Sequence, residues 1–260
     1  MDRRIPITCR ATNCARHADN VIVEQRDASR LEPDEIRVEM IARPINPSDL
    51  IPIRGAYRHR IPLPCIPGYE GVGSVIAIGS SVQKSMLGKH VLPLRGEGTW
   101  QQYVKASSSL SIEIPPFIPD DEASRSYINP LTAWILCKEL LGRSPDSFLL
   151  VNAFSSAIGP MFAQLSAVFG YRLIAVVRSS DSWKRLATEL DLRSKLFHLR
   201  HWIQGISVED WQNSFLNIFA LLRQKQLCLG NIEARYPLAK IAKAVQAAER
   251  PGRQGKLLLT

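Results

Sequence analysis

Two stretches of the chain hold side chains whose types and spacing suit chemistry. In the first, Asn46-Pro47-Ser48-Asp49 is followed by Gly55-Ala56-Tyr57, with Arg54, Arg58, His59 and Arg60 around the tyrosine. A phenol carries its O–H near neutral pH and can give a proton. An asparagine amide can donate to an oxygen on which negative charge develops. By spacing alone Tyr57 also reads as a surface-loop aromatic, and Asn46 as a turn-former before Pro47. The cations around Tyr57 suit the phosphates of a substrate or make an ordinary solvated basic loop.

In the second stretch the apolar run Ser147–Val151 leads into Asn152-Ala153-Phe154-Ser155-Ser156-Ala157-Ile158-Gly159-Pro160. A pyrophosphate needs backbone N–H groups at a helix N-terminus and little side-chain bulk. Ser155, Ser156 and Ala157 are small, Gly159 is the lone glycine, and Pro160 suits an early helical position. An ordinary capped helix fits the same residues. A second apolar run, Tyr171–Val177, ends in Arg178-Ser179-Ser180, with no acid before Asp181. Enzymes that bind NAD place Asp or Glu there for the ribose 2′-OH, whereas arginine matches a 2′-phosphate. If a dinucleotide binds, Arg178 and Ser179 favour NADPH; a simple exposed cation is the other reading of Arg178.

The elements that must position these residues change in kind along the chain. Over residues 1–125, short alternating runs such as Glu35–Ala42 (Ile36, Val38, Met40), Gly71–Ile78 and Gly88–Leu94 are separated by Gly, Pro and Ser, which predicts a small barrel or sandwich. Helical pattern starts near Ser124–Leu141. Ser147–Val151, a helix over Ile158–Phe169 stopped by Gly170, and Tyr171–Val177 form a βαβ unit on a parallel sheet, with a further helix over Asp181–Leu190. A six-stranded nucleotide-binding sheet needs a second such half. Only Asp191–Leu196 separate Leu190 from Phe197, so that half is missing. Leu216–Lys225 is helical again.

The segments Asn46-Pro47-Ser48-Asp49, Gly55-Ala56-Tyr57 and Pro67-Gly68-Tyr69-Glu70-Gly71-Val72-Gly73 resemble the opening barrel of the medium-chain dehydrogenase/reductase superfamily, and within it the zinc-free trans-2-enoyl-thioester reductases and quinone oxidoreductases. The resemblance implies an α/β fold: a GroES-like β-barrel domain over 1–125, an abbreviated Rossmann-like nucleotide-binding domain over 126–250, and a strand over 251–260 returning to the first domain. It implies NADPH as cofactor, Tyr57 as proton donor and Asn46 as a hydrogen-bonder in the same pocket. The positions that hold zinc in metal-dependent relatives match Asn46, Tyr69 and Asn129, none of them a thiolate or imidazole, so no catalytic zinc is expected. Tyr69 is expected to fill the metal's space. Thr132, within Asn129-Pro130-Leu131-Thr132-Ala133, resembles the threonine that approaches the cofactor; a helix-start hydroxyl is the alternative. Trp100, in Gly98-Thr99-Trp100, and Trp202, in Phe197–Trp202, would lie on the substrate side; a core role fits Trp100 as well.

Composition bounds these readings. The chain has 260 residues and a net charge of +9, which suits an anionic partner such as a phosphate-rich cofactor or a CoA-like thioester. The basic residues are dispersed, so nucleic acid is not an expected partner. No run of about 18 apolar residues predicts a membrane span. Arg3, Arg4, Arg10 and Arg16 precede no apolar core, which argues against a secretory signal; a transit peptide and an ordinary strand start are both open. Five scattered cysteines fit free thiols and a cytoplasmic setting. The expected partner is a small-molecule or thioester substrate, with room for a homodimer. Two function classes stand side by side: an NADPH-dependent reductase of an enoyl thioester or a quinone, and a non-catalytic relative that binds a nucleotide or a partner without turnover.

Overall fold

Ile36, Val38 and Met40 are buried on one face of β3, Glu35–Pro44, because successive side chains of a strand point to opposite faces. That face packs on Val75, Val91 and Val104. The computed structural model describes residues 7–11, 21–26, 29–54, 61–141, 145–176 and 197–260. The chain divides into two compact units, 1–125 with 230–260 and 126–229. The resemblance sets the return to the first domain at residue 251; in the structure the chain from Gly230 already belongs with the first unit.

In the first unit β1 (Ile7–Ala11) pairs antiparallel with β2 (Val21–Gln25). After β3 come α1 (Pro47–Ile53), β4 (Val72–Ile78), β5 (His90–Leu92), β6 (Tyr103–Ser107), β7 (Ile112–Glu113) and α2 (Asp120–Ala123). β3 pairs antiparallel with both β4 and β6. The predicted strand over Gly88–Leu94 is shorter: Gly88 turns with φ 76°, and the Leu94 N–H donates back to the Leu92 carbonyl at 2.9 Å.

The second unit opens with α3 (Ile128–Ile135), continued by a π-helical turn, Leu136–Leu141. The single helical pattern expected from Ser124 thus splits. Pro130 has no N–H to give and sits in the first turn of α3, where none is needed. β8 (Phe148–Val151), α4 (Gly159–Phe169) and β9 (Arg172–Ala175) form the βαβ unit; the strands are parallel, with Phe148 opposite Arg172 and Val151 opposite Ala175. Gly170 ends α4 in the left-handed region at φ 71°, where a side chain would be strained. Among the described residues no further strand joins this pair. The predicted helix over 181–190 and the short link after it lie outside the described residues.

α5 (Leu199–Gly205) and α6 (Val208–Arg223) follow. α6 starts eight residues earlier than its pattern predicts because Ser207 caps it, accepting the Asp210 N–H at 3.0 Å. Its Trp211 and Phe215 are fully buried, and Trp211 meets Tyr127 edge-on with centroids 5.7 Å apart.

The last stretch returns to the first unit as β10 (Ile232–Tyr236), α7 (Ile241–Glu249) and β11 (Lys256–Leu259). β11 lies between β10, which it pairs in parallel, and β3, antiparallel with Leu258 opposite Pro44. Leu257 and Leu259 join Ile45, Leu50, Ile53, Ile241 and Val245 in one core.

Candidate active site

β3 delivers Asn46 to the start of α1 in extended conformation, and Pro47 takes the first helical position, where a missing N–H costs nothing. Asp49, three residues on, accepts the Asn46 N–H on Oδ2 at 2.7 Å, as an N3 acid does in a capping box. Its Oδ1 accepts the Tyr69 N–H at 3.1 Å, which ties the helix start to the segment before β4. The Asn46 amide is used elsewhere: Nδ2 donates to Glu70 Oε1 at 2.7 Å, and Oδ1 accepts from Lys256 Nζ. A carboxylate only accepts and an ammonium only donates, so these partners fix which end of the amide is which.

The segment bearing Glu70 is held by close backbone approach. Gly68 has φ 96°, and a Cβ there would come within 2.4 Å of Thr99 Oγ1 and Trp100 Cδ1. Thr99 Oγ1 in turn donates to the Glu70 carbonyl at 2.8 Å.

All four side chains of the cluster are buried: Asn46 and Asp49 are 1% exposed, Glu70 2% and Lys256 9%. Burial pushes the Asp49 carboxyl up to about 7 and the nearby Glu70 carboxylate adds to this, against the Asn46 N–H, Lys256 and the Tyr69 N–H, which favour the ionised form. Burial likewise lowers Lys256, opposed by Glu70 and Asp49. Arg125 is also buried and feels Glu70; it donates to the Asp121 carbonyl at 2.9 Å and the Gly230 carbonyl at 3.1 Å. Asp49 and Glu70 thus both lie in the field of Lys256, and Glu70 also acts on Arg125.

Of the other residues singled out from the sequence, Tyr57, with Arg58, His59 and Arg60, lies outside the described residues, as do Arg178 and Ser179. Arg54 pairs with Glu249 at 3.0 Å. Tyr69 does not fill a metal-sized space: its side chain is 42% exposed, and its backbone N–H is what serves the cluster. Asn129 lies in α3, in the second unit. Trp100 is fully buried in the first unit's core, so the core reading left open by the sequence is the one its packing fits. Trp202 donates its indole N–H to Glu139 at 2.7 Å. The Thr132 hydroxyl donates to the Ile128 carbonyl at 2.6 Å, inside α3 rather than at its start. Among the described residues no group of three or more His, Cys, Asp or Glu is placed to hold a metal ion.

Ser155, Ser156 and Ala157 are exposed in the turn between β8 and α4, beyond the carboxyl ends of two parallel strands. Gly159 is buried there; a Cβ on it would stand 1.9 Å from the Phe154 carbonyl oxygen. Small exposed residues before an eleven-residue helix, folded back tightly enough to demand glycine, fit the pyrophosphate of a dinucleotide.

The sequence reading missed Asp49, Glu70 and Lys256 as members of the cluster. Asp49 was visible as an acid three residues after an N-cap asparagine. Lys256 was visible as a cation opening the otherwise apolar strand Leu257-Leu258-Leu259.

A β-rich unit with a βαβ unit set between its strands in sequence makes the chain an α/β protein. Residues 32–116 match the alcohol dehydrogenase GroES-like domain. A candidate NADPH:quinone reductase structure from Bacillus thuringiensis is 36% identical, with TM-score 0.92 and 98% of each chain covered. The Escherichia coli quinone oxidoreductase solved with NADPH is 18% identical with TM-score 0.81 over 97% of this chain and 99% of that one, a likeness of fold. The mitochondrial enoyl-acyl-carrier-protein reductase of Homo sapiens is 33% identical over 189 residues, 71% of this chain and 51% of that protein. The chain thus spans about half the length of the curated relatives it matches. The chain belongs to the medium-chain dehydrogenase/reductase superfamily, on the side of the enoyl reductases and quinone oxidoreductases.

Proposed function

We propose that the chain is a zinc-independent, NADPH-dependent reductase of an activated carbon–carbon double bond, with a 2-enoyl thioester as substrate. The observation that carries this reading is the 33% identity to a protein named as an enoyl-acyl-carrier-protein reductase. Ser155, Ser156 and Gly159 would receive the pyrophosphate, Thr132 would border it, and Arg178 with Ser179 would take the 2′-phosphate. When bound, the nicotinamide supplies a hydride. Tyr57 gives the proton to the α-carbon, and Trp202 borders the acyl side. Asn46 is buried with its amide held at both ends, so its part is to position the segment before Tyr57 rather than to meet the substrate. Trp100 is assigned to the core.

The test is tryptophan-fluorescence titration with NADPH, and NADH alongside, followed by NADPH oxidation with a crotonyl thioester and with a quinone. Saturable binding that favours NADPH and weakens in Arg178→Ala, with thioester-dependent turnover, is the expected result. A folded sample that binds no NADPH at about millimolar concentration, the top of the usual range of enzyme substrate constants, would overturn it. A second reading, a relative that binds without turnover, is favoured by one observation: the parallel sheet has two strands among the described residues. Hydride transfer needs tight positioning of donor and acceptor, and fewer strands supply fewer loops to enforce it. Binding without turnover of either substrate supports that reading.

A further inference from the structure

The helix α1 has seven residues and ends at Ile53, four residues before Tyr57 in the sequence. A helix that short does not hold itself in water, so its place depends on what grips it. Leu50 and Ile53 bury one face. Its first turn is gripped by Asp49, which accepts the backbone N–H groups of both Asn46 and Tyr69. A carboxylate makes both bonds at full strength only when ionised, and an ionised carboxylate at this depth needs a cation.

We propose that Lys256 is a positioning residue for α1: from β11 it holds the Asn46 amide and offsets the Asp49–Glu70 carboxylate pair, and so fixes the start of that helix. The geometry is specific. The ammonium meets Asn46 Oδ1, the same amide passes its N–H to Glu70, and Asn46's own backbone N–H goes to Asp49. Three separate parts of the chain therefore meet at one residue: the helix start, the segment before β4, and β11.

The charged groups acting on Asp49 are Glu70 and Lys256; those acting on Lys256 are Glu70, Asp49, Arg253 and Arg125. Without Lys256 two buried carboxylates share the remaining cations, and the pair takes up a proton more readily. Lys256 favours ionised Asp49, so its removal moves the pair's titration to higher pH.

The test is hydrogen exchange of the whole chain, wild type against Lys256→Met and Lys256→Arg, followed by mass spectrometry from about pH 6 to about pH 9 and corrected for intrinsic rates. Peptides over residues 45–54 and 66–71 report the gripped amides; peptides over β4 and β5 report the sheet. In Lys256→Met we expect protection of the gripped amides to fall on the order of tenfold, the worth of a hydrogen bond to a charged group, with little change in β4 and β5. Because the fold raises the Asp49 carboxyl, protection of these amides falls with rising pH until the pair is ionised; in Lys256→Met that fall should extend to higher pH, and Lys256→Arg should restore most of the wild-type profile. Unchanged protection in Lys256→Met, or a loss spread equally over β4 and β5, would overturn the proposal. The link to Tyr57 rests on the reductase reading and has its own readout: kcat falls in Lys256→Met while KM for thioester and NADPH stays within about twofold, the pattern of a group that serves the chemical step. A wild-type chain with no turnover defeats the reductase reading and leaves the exchange result to judge the grip on α1.

Discussion

Replacing Asp49 by asparagine should change the pH dependence of stability in a direction opposite to ordinary acid denaturation. The folded chain holds the Asp49 carboxyl at about 7, above its ordinary 3.8. The folded state therefore keeps a proton that the unfolded chain has already released, and the stability this confers is full below 3.8 and drains as pH rises through about 7. Between about pH 5 and about pH 8 the linkage removes about 3 kcal/mol from the wild type, at 1.36 kcal/mol for each unit of pKa. The side-chain amide in Asp49→Asn cannot ionise, so the variant escapes this loss. Urea unfolding followed by tryptophan fluorescence at both pH values measures it. The stability difference, Asp49→Asn minus wild type, should move in favour of the variant by about 3 kcal/mol on going to the higher pH, because titrations outside the cluster of Asp49, Glu70 and Lys256 cancel in the difference. A difference that is the same at both pH values, or that moves against the variant, refutes the idea that burial holds this carboxyl protonated toward neutrality.

Gly159→Ala should push the loop off the start of α4, since its methyl would stand 1.9 Å from the Phe154 carbonyl oxygen. We expect a loss on the order of 1–3 kcal/mol in thermal unfolding, with weaker NADPH binding in the same sample. Tyr57→Phe keeps the ring and removes the O–H. It should lower kcat by about a hundredfold, at the low end for a positioned proton donor, with the NADPH Kd unchanged; a wild-type rate would remove Tyr57 from the chemistry.

What could be read from the sequence was whatever repeats locally. The alternation of Ile36, Val38 and Met40 marks β3 because burial on one face has a period of two. Gly170 marks the end of α4 because only a residue without a Cβ sits at φ 71° without strain. Asn46 and Asp49 announce a helix start by their spacing alone. The partners of that start could not be read the same way. Glu70 and Lys256 reach Asn46 from other parts of the fold, and no local period connects residues 46 and 256. Trp100 stayed open for a related reason: its neighbours in sequence resemble a substrate entrance, while the core it shares with Ile45, Leu50 and Ile53 is set by contacts no local pattern shows. Tyr69 misled because its backbone, not its ring, does what the cluster needs.

The position of β11 has a consequence for how the chain is made. The strand follows the whole of the second unit in sequence, yet in the finished sheet it lies between β10 and β3. As the chain emerges from the ribosome, Arg43 and Pro44 wait for their partners Leu259 and Leu258 until the whole of the second unit has been synthesised. Asp49 and Glu70 wait equally long for Lys256. During that interval the two carboxylates have no lysine beside them and must stay hydrated or protonated, so the first unit cannot reach its final core early. Closing the sheet and burying the charges are then a single event that waits for the second unit, brought about by the four residues of β11.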